Sequence, residues 1–164
     1  MAKFRFEELV APEATRVTAH LAGSGTGDQL PNAVYSDAEI GKAVKMTADS
    51  RYGLCAAGDA IEGFVVATEP ATVDGFCLGT VQTDRRKTVT VDAGATLAVG
   101  DYVVAGTMVA KGTKLTAAQA VKKPATATTV VEGLAQSRFS WRVVSLMGGN
   151  GSAGSEVLIE RVNA

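Results

Sequence analysis

The chain has 164 residues, 46% of them apolar and 20% charged, with a formal net charge of −1. That length suits one domain, or one domain with an arm, and the charged share argues against wholesale disorder. The near-neutral balance argues against general nucleic-acid binding, and the longest strongly apolar stretch, Phe64-Val65-Val66-Ala67, is far short of the roughly 20 residues of a membrane span.

Ala (27), Val (21), Gly (18) and Thr (17) dominate, against 10 Leu, 3 Ile and 9 aromatics. Excess Val and Thr with abundant Gly favour many short strands and turns. Few large side chains imply a thin core, and burial stabilises by only roughly 25 cal/mol per Å². A protomer of this kind is expected to gain stability from neighbouring chains.

Residues 1–40 read as an extended arm. They carry three basic residues against six acidic ones, two prolines and the run Gly23-Ser24-Gly25-Thr26-Gly27. No helical stripe appears, and one short strand is expected near Arg16–Leu21. The charged start, with Lys3, Arg5, Glu7 and Glu8, does not fit a signal peptide. The glycine run lacks the Gly-Lys-Ser/Thr of a phosphate loop and reads as a linker. His20 has no evident catalytic partner and reads as a surface or interface histidine.

From residue 41 the period changes to two, defining a β-rich domain over 41–164. Strands are expected at Lys42–Met46, Tyr52–Ala56, Ile61–Thr68 and Val73–Thr83, with Gly75 and Gly79 marking bends or bulges. Lys87–Asp92 alternates most cleanly, with Val89 and Val91 on one face and Thr88 and Thr90 on the other. Asp84-Arg85-Arg86-Lys87 is the one basic cluster and reads as a solvated hairpin turn that could meet an acidic surface. Tyr102–Ala110 and Lys114–Thr116 continue the strand pattern, and Thr116–Ala120 suits a helical turn stopped by Pro124.

The C-terminal end reads as a hairpin, Phe139–Leu146 with Glu156–Val162, around a loop holding four glycines between 148 and 154 and expected to be mobile. A sensible register sets Trp141 opposite Arg161, Arg142 opposite Glu160, Val143 opposite Ile159 and Val144 opposite Leu158. Both faces carry apolar residues, so this hairpin is expected at the centre of the fold.

Sites for chemistry are sparse. Cys55 and Cys77 read as reduced, buried small hydrophobes, although their spacing leaves pairing between them open. Two cysteines and one histidine fall short of the roughly four ligands of a structural zinc site. Asp49, Asp59, Asp74, Asp84, Asp92 and Asp101 fall at turns, where short carboxylates cap local amides. Gly58-Asp59-Ala60-Ile61 and Gly100-Asp101-Tyr102-Val103, 42 positions apart, echo each other as two similar approaches to a strand. Lys45 in Ala43-Val44-Lys45-Met46 faintly resembles the lysine of biotin- or lipoyl-carrier domains, but it lies within an expected strand. No enzyme activity, cofactor or metal is expected.

The stretches Ala57–Phe64, Val91–Val103, Trp141–Leu146, the glycine loop over 148–154 and Val157–Val162 together resemble the capsid decoration (cement) proteins of tailed bacteriophages. The resemblance covers roughly residues 40–164. It implies a small β-rich domain. With the strand pattern, the expected fold is all-β, a compact β-sandwich or barrel of short antiparallel strands, preceded by the extended N-terminal arm, which has no clear counterpart in the resemblance. It also implies a structural virion protein, made in the host cytoplasm. Such a protein sits on the outer capsid surface, where it cements neighbouring major capsid subunits against internal DNA pressure. The implied partners are the major capsid protein and further copies of the chain, as a dimer or trimer, with no membrane and no direct nucleic acid. The expected capsid or protomer contacts are Phe4, Arg5, Phe6, Leu9 and Val10 in the arm, Arg85 and Arg86 in the basic turn, and Trp141. Behind this stand another structural phage protein, such as a head–tail or fibre component, and a small β-barrel ligand-binding module.

Overall fold

The computed structural model describes residues 16–21, 40–47, 51–69, 78–111, 115–130 and 139–162. They form ten strands: β1 (Arg16–His20), β2 (Ala43–Met46), β3 (Tyr52–Leu54), β4 (Gly63–Glu69), β5 (Leu78–Gln82), β6 (Arg86–Val91), β7 (Val104–Lys111), β8 (Leu115–Lys122), β9 (Trp141–Ser145) and β10 (Glu156–Arg161). The fold is all-β. Two five-stranded sheets run in the orders β1-β5-β4-β2-β3 and β7-β8-β6-β10-β9.

The strand expected near Arg16–Leu21 is present, and it pairs antiparallel with β5 from Arg16↔Gln82 to His20↔Leu78. Leu21, which follows it, is 4% exposed and forms a parallel bridge to Tyr52 at the opposite edge of the same sheet. The first sheet therefore closes on itself. Its interior holds Leu21, Val44, Val65 and Val81, with Ala19, Tyr52 and Leu54 against them. At Leu21 the N-terminal segment thus contributes to the core of its own chain. Gly79 is no bend: a Cβ there would sit 2.4 Å from Leu21 Cδ1 and 2.8 Å from the Ala67 carbonyl oxygen. Its missing side chain makes room for Leu21. The irregularity falls on the facing strand, where register slips between Val65 and Ala67.

A larger core lies between the sheets. Period-two alternation sends Val44 and Val65 into the first sheet's interior and their neighbours Ala43 and Phe64 towards the second sheet. There they meet Val89, Val91, Val103, Ala105, Val121, Trp141, Val143, Val157 and Ile159. Val89 and Val91 point inward as the alternation of β6 requires. The rings of Phe64 and Trp141 meet edge to face, with centroids 5.2 Å apart, an arrangement favoured by the ring quadrupoles. Lys87 Nζ lies 6.0 Å from the Phe64 centroid.

Several connections differ from the expected ones. Thr116–Ala120 belongs to β8 and forms no helical turn. β8 pairs antiparallel with β7, Ala118 facing Val109 and Gln119 facing Met108, and parallel with β6 at Ala120 and Val121. A ladder on each side outweighs the local helix preference of Ala and Gln. Asp84-Arg85 is not a hairpin turn, because β5 and β6 belong to different sheets. It is the crossing between them. Gln82 Nε2 donates to the carbonyls of Asp84 and Arg86, each at 3.0 Å, and Arg85 takes a left-handed φ of 64°.

The C-terminal hairpin keeps three of the four expected pairs: Ile159↔Val143, Glu160↔Arg142 and Arg161↔Trp141. Leu158 faces Ser145, so Val144 is the extra residue of a β-bulge. The hairpin is not central to its sheet. β9 is an edge strand, although Trp141, Val143, Val157 and Ile159 reach the main core. Its glycine loop is folded back rather than free. Leu97 N–H donates to Gly151 O at 2.8 Å, Gly154 N–H to Val91 O at 2.9 Å, and Val91 N–H to Ser155 O at 2.9 Å. Glycine is used here for close approach: a Cβ on Gly151 would stand 2.0 Å from the Leu97 carbonyl oxygen.

Candidate interaction surface

The Gly-Asp echo is a repeated piece of structure. Gly58 and Gly100 have φ of 97° and 96°, a conformation open chiefly to glycine. Asp59 N–H donates to Ala56 O, and Asp101 N–H to Ala98 O, both at 3.1 Å. Each carboxylate then accepts back from the same alanine's amide, at 2.7 Å for Asp59 and 2.6 Å for Asp101. Each also takes a lysine, Lys45 at 2.7 Å and Lys123 at 2.9 Å. Lys45 is thereby held in β2 as an ion-pair partner of the first corner.

Both corners clamp a sheet edge. Gly58 N–H donates to Ala105 O at 2.7 Å and Ala105 N–H returns a bond to Asp59 O at 2.9 Å. Gly100 N–H donates to Val143 O at 2.8 Å and Val143 N–H to Asp101 O at 2.9 Å. The first corner covers β7 and the second covers β9, so backbone groups at both edges of the second sheet find partners. A third carboxylate, Asp92, is buried at the end of β6. It accepts from Ala93 N–H at 2.9 Å and from the Thr107 hydroxyl.

Burial works to raise the pKa of all three carboxyls, but donors outweigh it and each is held below the usual range. For Asp59 these are the Lys45 hydrogen bond, Ala56 N–H and the Lys45 charge. For Asp101 they are the Lys123 hydrogen bond, Ala98 N–H and the Lys123 charge. For Asp92 they are the Thr107 hydroxyl and backbone, Ala93 N–H and the Lys122 charge. Cys55 is a buried free thiol whose Sγ–H points at Ala60 O, 3.8 Å away. Desolvation first, then the charge of Asp59, pushes its pKa up to about 12. It behaves as the small hydrophobe expected; Cys77 lies outside the described residues.

Of the expected contact residues, Phe4, Arg5, Phe6, Leu9 and Val10 lie outside the described residues. Trp141 is 0% exposed and packs on Phe64, so it is a core residue and not a contact residue. Its place opposite Arg161 on the inner face of β9 decides this. Arg85 is exposed at the sheet crossing, and Arg86 is half-buried, with Nε 3.4 Å from Glu160 Oε1. Arg161 backs that crossing from within: Nη1 donates to Glu62 O at 3.3 Å and to Thr83 O.

Sheet register adds three residues that sequence reasoning missed. Tyr102 bridges Arg142, Arg142 faces Glu160, and Glu160 faces Arg86. Directly paired residues share a face, so Tyr102, Arg142, Glu160 and Arg86 form one row across the outer side of the second sheet. At about 4.8 Å per strand spacing the row spans roughly 14 Å. It carries two cations and one anion, with Arg85 beside it. The alternation of β9, with Val143 inward, was the sequence signal that could have placed Arg142 outward.

Among the described residues no group of three or more His, Cys, Asp or Glu could hold a metal ion, and no helix is long and apolar enough to cross a membrane. No family model, curated protein or solved structure matches the chain.

Proposed function

We propose that this chain is a structural protein of a tailed-phage head, bound to the outer surface and bridging neighbouring major capsid subunits. The observation that carries the proposal is convergence. The segments that resemble decoration proteins are scattered along the chain, yet they bond to one another. Val103 N–H donates to Trp141 O at 3.0 Å, Gly154 N–H donates to Val91 O at 2.9 Å, and Phe64 packs on Trp141. The resemblance therefore concerns one continuous body of structure rather than isolated turns.

In this reading the body is a rigid block and binding occurs on its outside. The outward row with its excess of arginine suits an acidic protein surface. The arm, through Phe4-Arg5-Phe6 and Leu9-Val10, adds a strand to a sheet edge of a neighbouring chain, backbone pairing giving affinity and alternate side chains specificity. Copies of the chain meet across a symmetry axis. Many weak contacts on one lattice then act together as avidity.

The test is to mix the purified chain with heads assembled without it and to locate it by electron microscopy. Regular occupancy at a copy number set by the capsid lattice is expected, and heads that remain bare would overturn the proposal. Removal of residues 1–12 is expected to weaken occupancy; undiminished binding would reject the role of the arm.

A further inference from the structure

The two Gly-Asp corners give an internal control. Their backbones match in φ, in turn hydrogen bond, in carboxylate cap, in lysine partner and in the two-bond clamp on a strand. The aliphatic residue that closes each corner is buried in the same way, Ile61 at one and Val103 at the other. The outward positions differ. The first corner has Ala57 and Ala60, whereas the second has Val99, 62% exposed, and Tyr102, 46% exposed. Since alanines serve the first corner, nothing in the corner's own geometry calls for a large apolar side chain at either position of the second.

Tyr102 is also the end of the outward row, sharing a face with Arg142. The carboxylate opposite Arg142, that of Glu160, bonds Arg86, and among the described residues Arg142 has no ion-pair partner. The second corner thus carries an exposed valine and an exposed tyrosine, and that tyrosine is paired with an arginine that has no counter-charge among the described residues. Tyr and Arg are the residue types in which binding energy concentrates. We infer that Val99, Tyr102 and Arg142 are the anchor of this chain on its partner, and that the partner is a protein surface presenting a carboxylate beside an apolar recess. The inference rests on the proposed capsid role, which makes that surface part of a major capsid subunit.

The experiment compares the full chain with V99A/Y102A, R142Q and, as a control on the first corner, A57S, each added to heads assembled without the chain. V99A/Y102A gives the second corner the side chains of the first, so its melting temperature is expected to stay near that of the unaltered chain. Its apparent Kd for heads is expected to rise by about tenfold or more, with R142Q weakened in the same direction and A57S unchanged. Double-variant binding equal to that of the unaltered chain would overturn the anchor and leave the capsid role standing. Failure of the unaltered chain to bind heads would overturn both. If the double variant melts early, a benzophenone amino acid at position 102 decides: photocrosslinking to the capsid subunit supports the anchor, and bound protein that gives no such crosslink refutes it.

Discussion

Replacing Gly151 by alanine tests whether the glycine loop is built into the fold. Two penalties act at once. The φ of 71° places an alanine in the left-handed region, at a cost of about 1–2 kcal/mol. The new Cβ would stand 2.0 Å from the Leu97 carbonyl oxygen, so backbone must move, and the Leu97 N–H to Gly151 O bond of 2.8 Å is the first at risk. Leaving such a buried group unpaired costs roughly 1–3 kcal/mol. The sum is about 2–5 kcal/mol. Gly154 supplies the control, since its φ is 80° but a Cβ added there would meet nothing within 4 Å. G154A should therefore show the conformational cost alone, about 1–2 kcal/mol. At about 2–4 °C per kcal/mol for a chain of this size, thermal unfolding followed by circular dichroism should separate the two variants clearly, G151A melting lower. Equal losses would refute the close approach and return the loop to the mobile tip that its composition suggests.

The depressed carboxyl pKa values of Asp59, Asp92 and Asp101 predict acid lability. A folded pKa below the unfolded value of about 3.9 stabilises above that value, and the contribution is lost as pH falls through the folded pKa. Urea midpoints should hold steady above about pH 5 and fall below about pH 4, and D59N/D101N should flatten that acid limb. In a Cys77→Ser background, Cys55 should resist Ellman's reagent at about pH 8 until denaturant is added, because burial keeps it a thiol; rapid labelling of the folded chain would contradict its placement. Trp141, the one tryptophan, should emit at short wavelength and resist iodide quenching, shifting red only on unfolding. Trp141→Ala should destabilise by about 3–5 kcal/mol, and a native-like melt for that variant would contradict a core position.

What the sequence determined by itself was local. Alternation at Thr88–Val91 and opposite charges at Arg142 and Glu160 fixed strand positions, inward faces and most of the C-terminal register, because the period of two and cross-strand chemistry act between near neighbours. Tertiary structure decided which strands share a sheet, the parallel β6–β8 pair, the bulge at Val144 and the burial of Trp141. It also showed that one pair of Gly-Asp turns is a repeated clamp and that Tyr102, Arg142, Glu160 and Arg86 stand in a row. Each of these depends on which distant segment arrives alongside, and neither a residue's own backbone preference nor its neighbours in sequence carry that information.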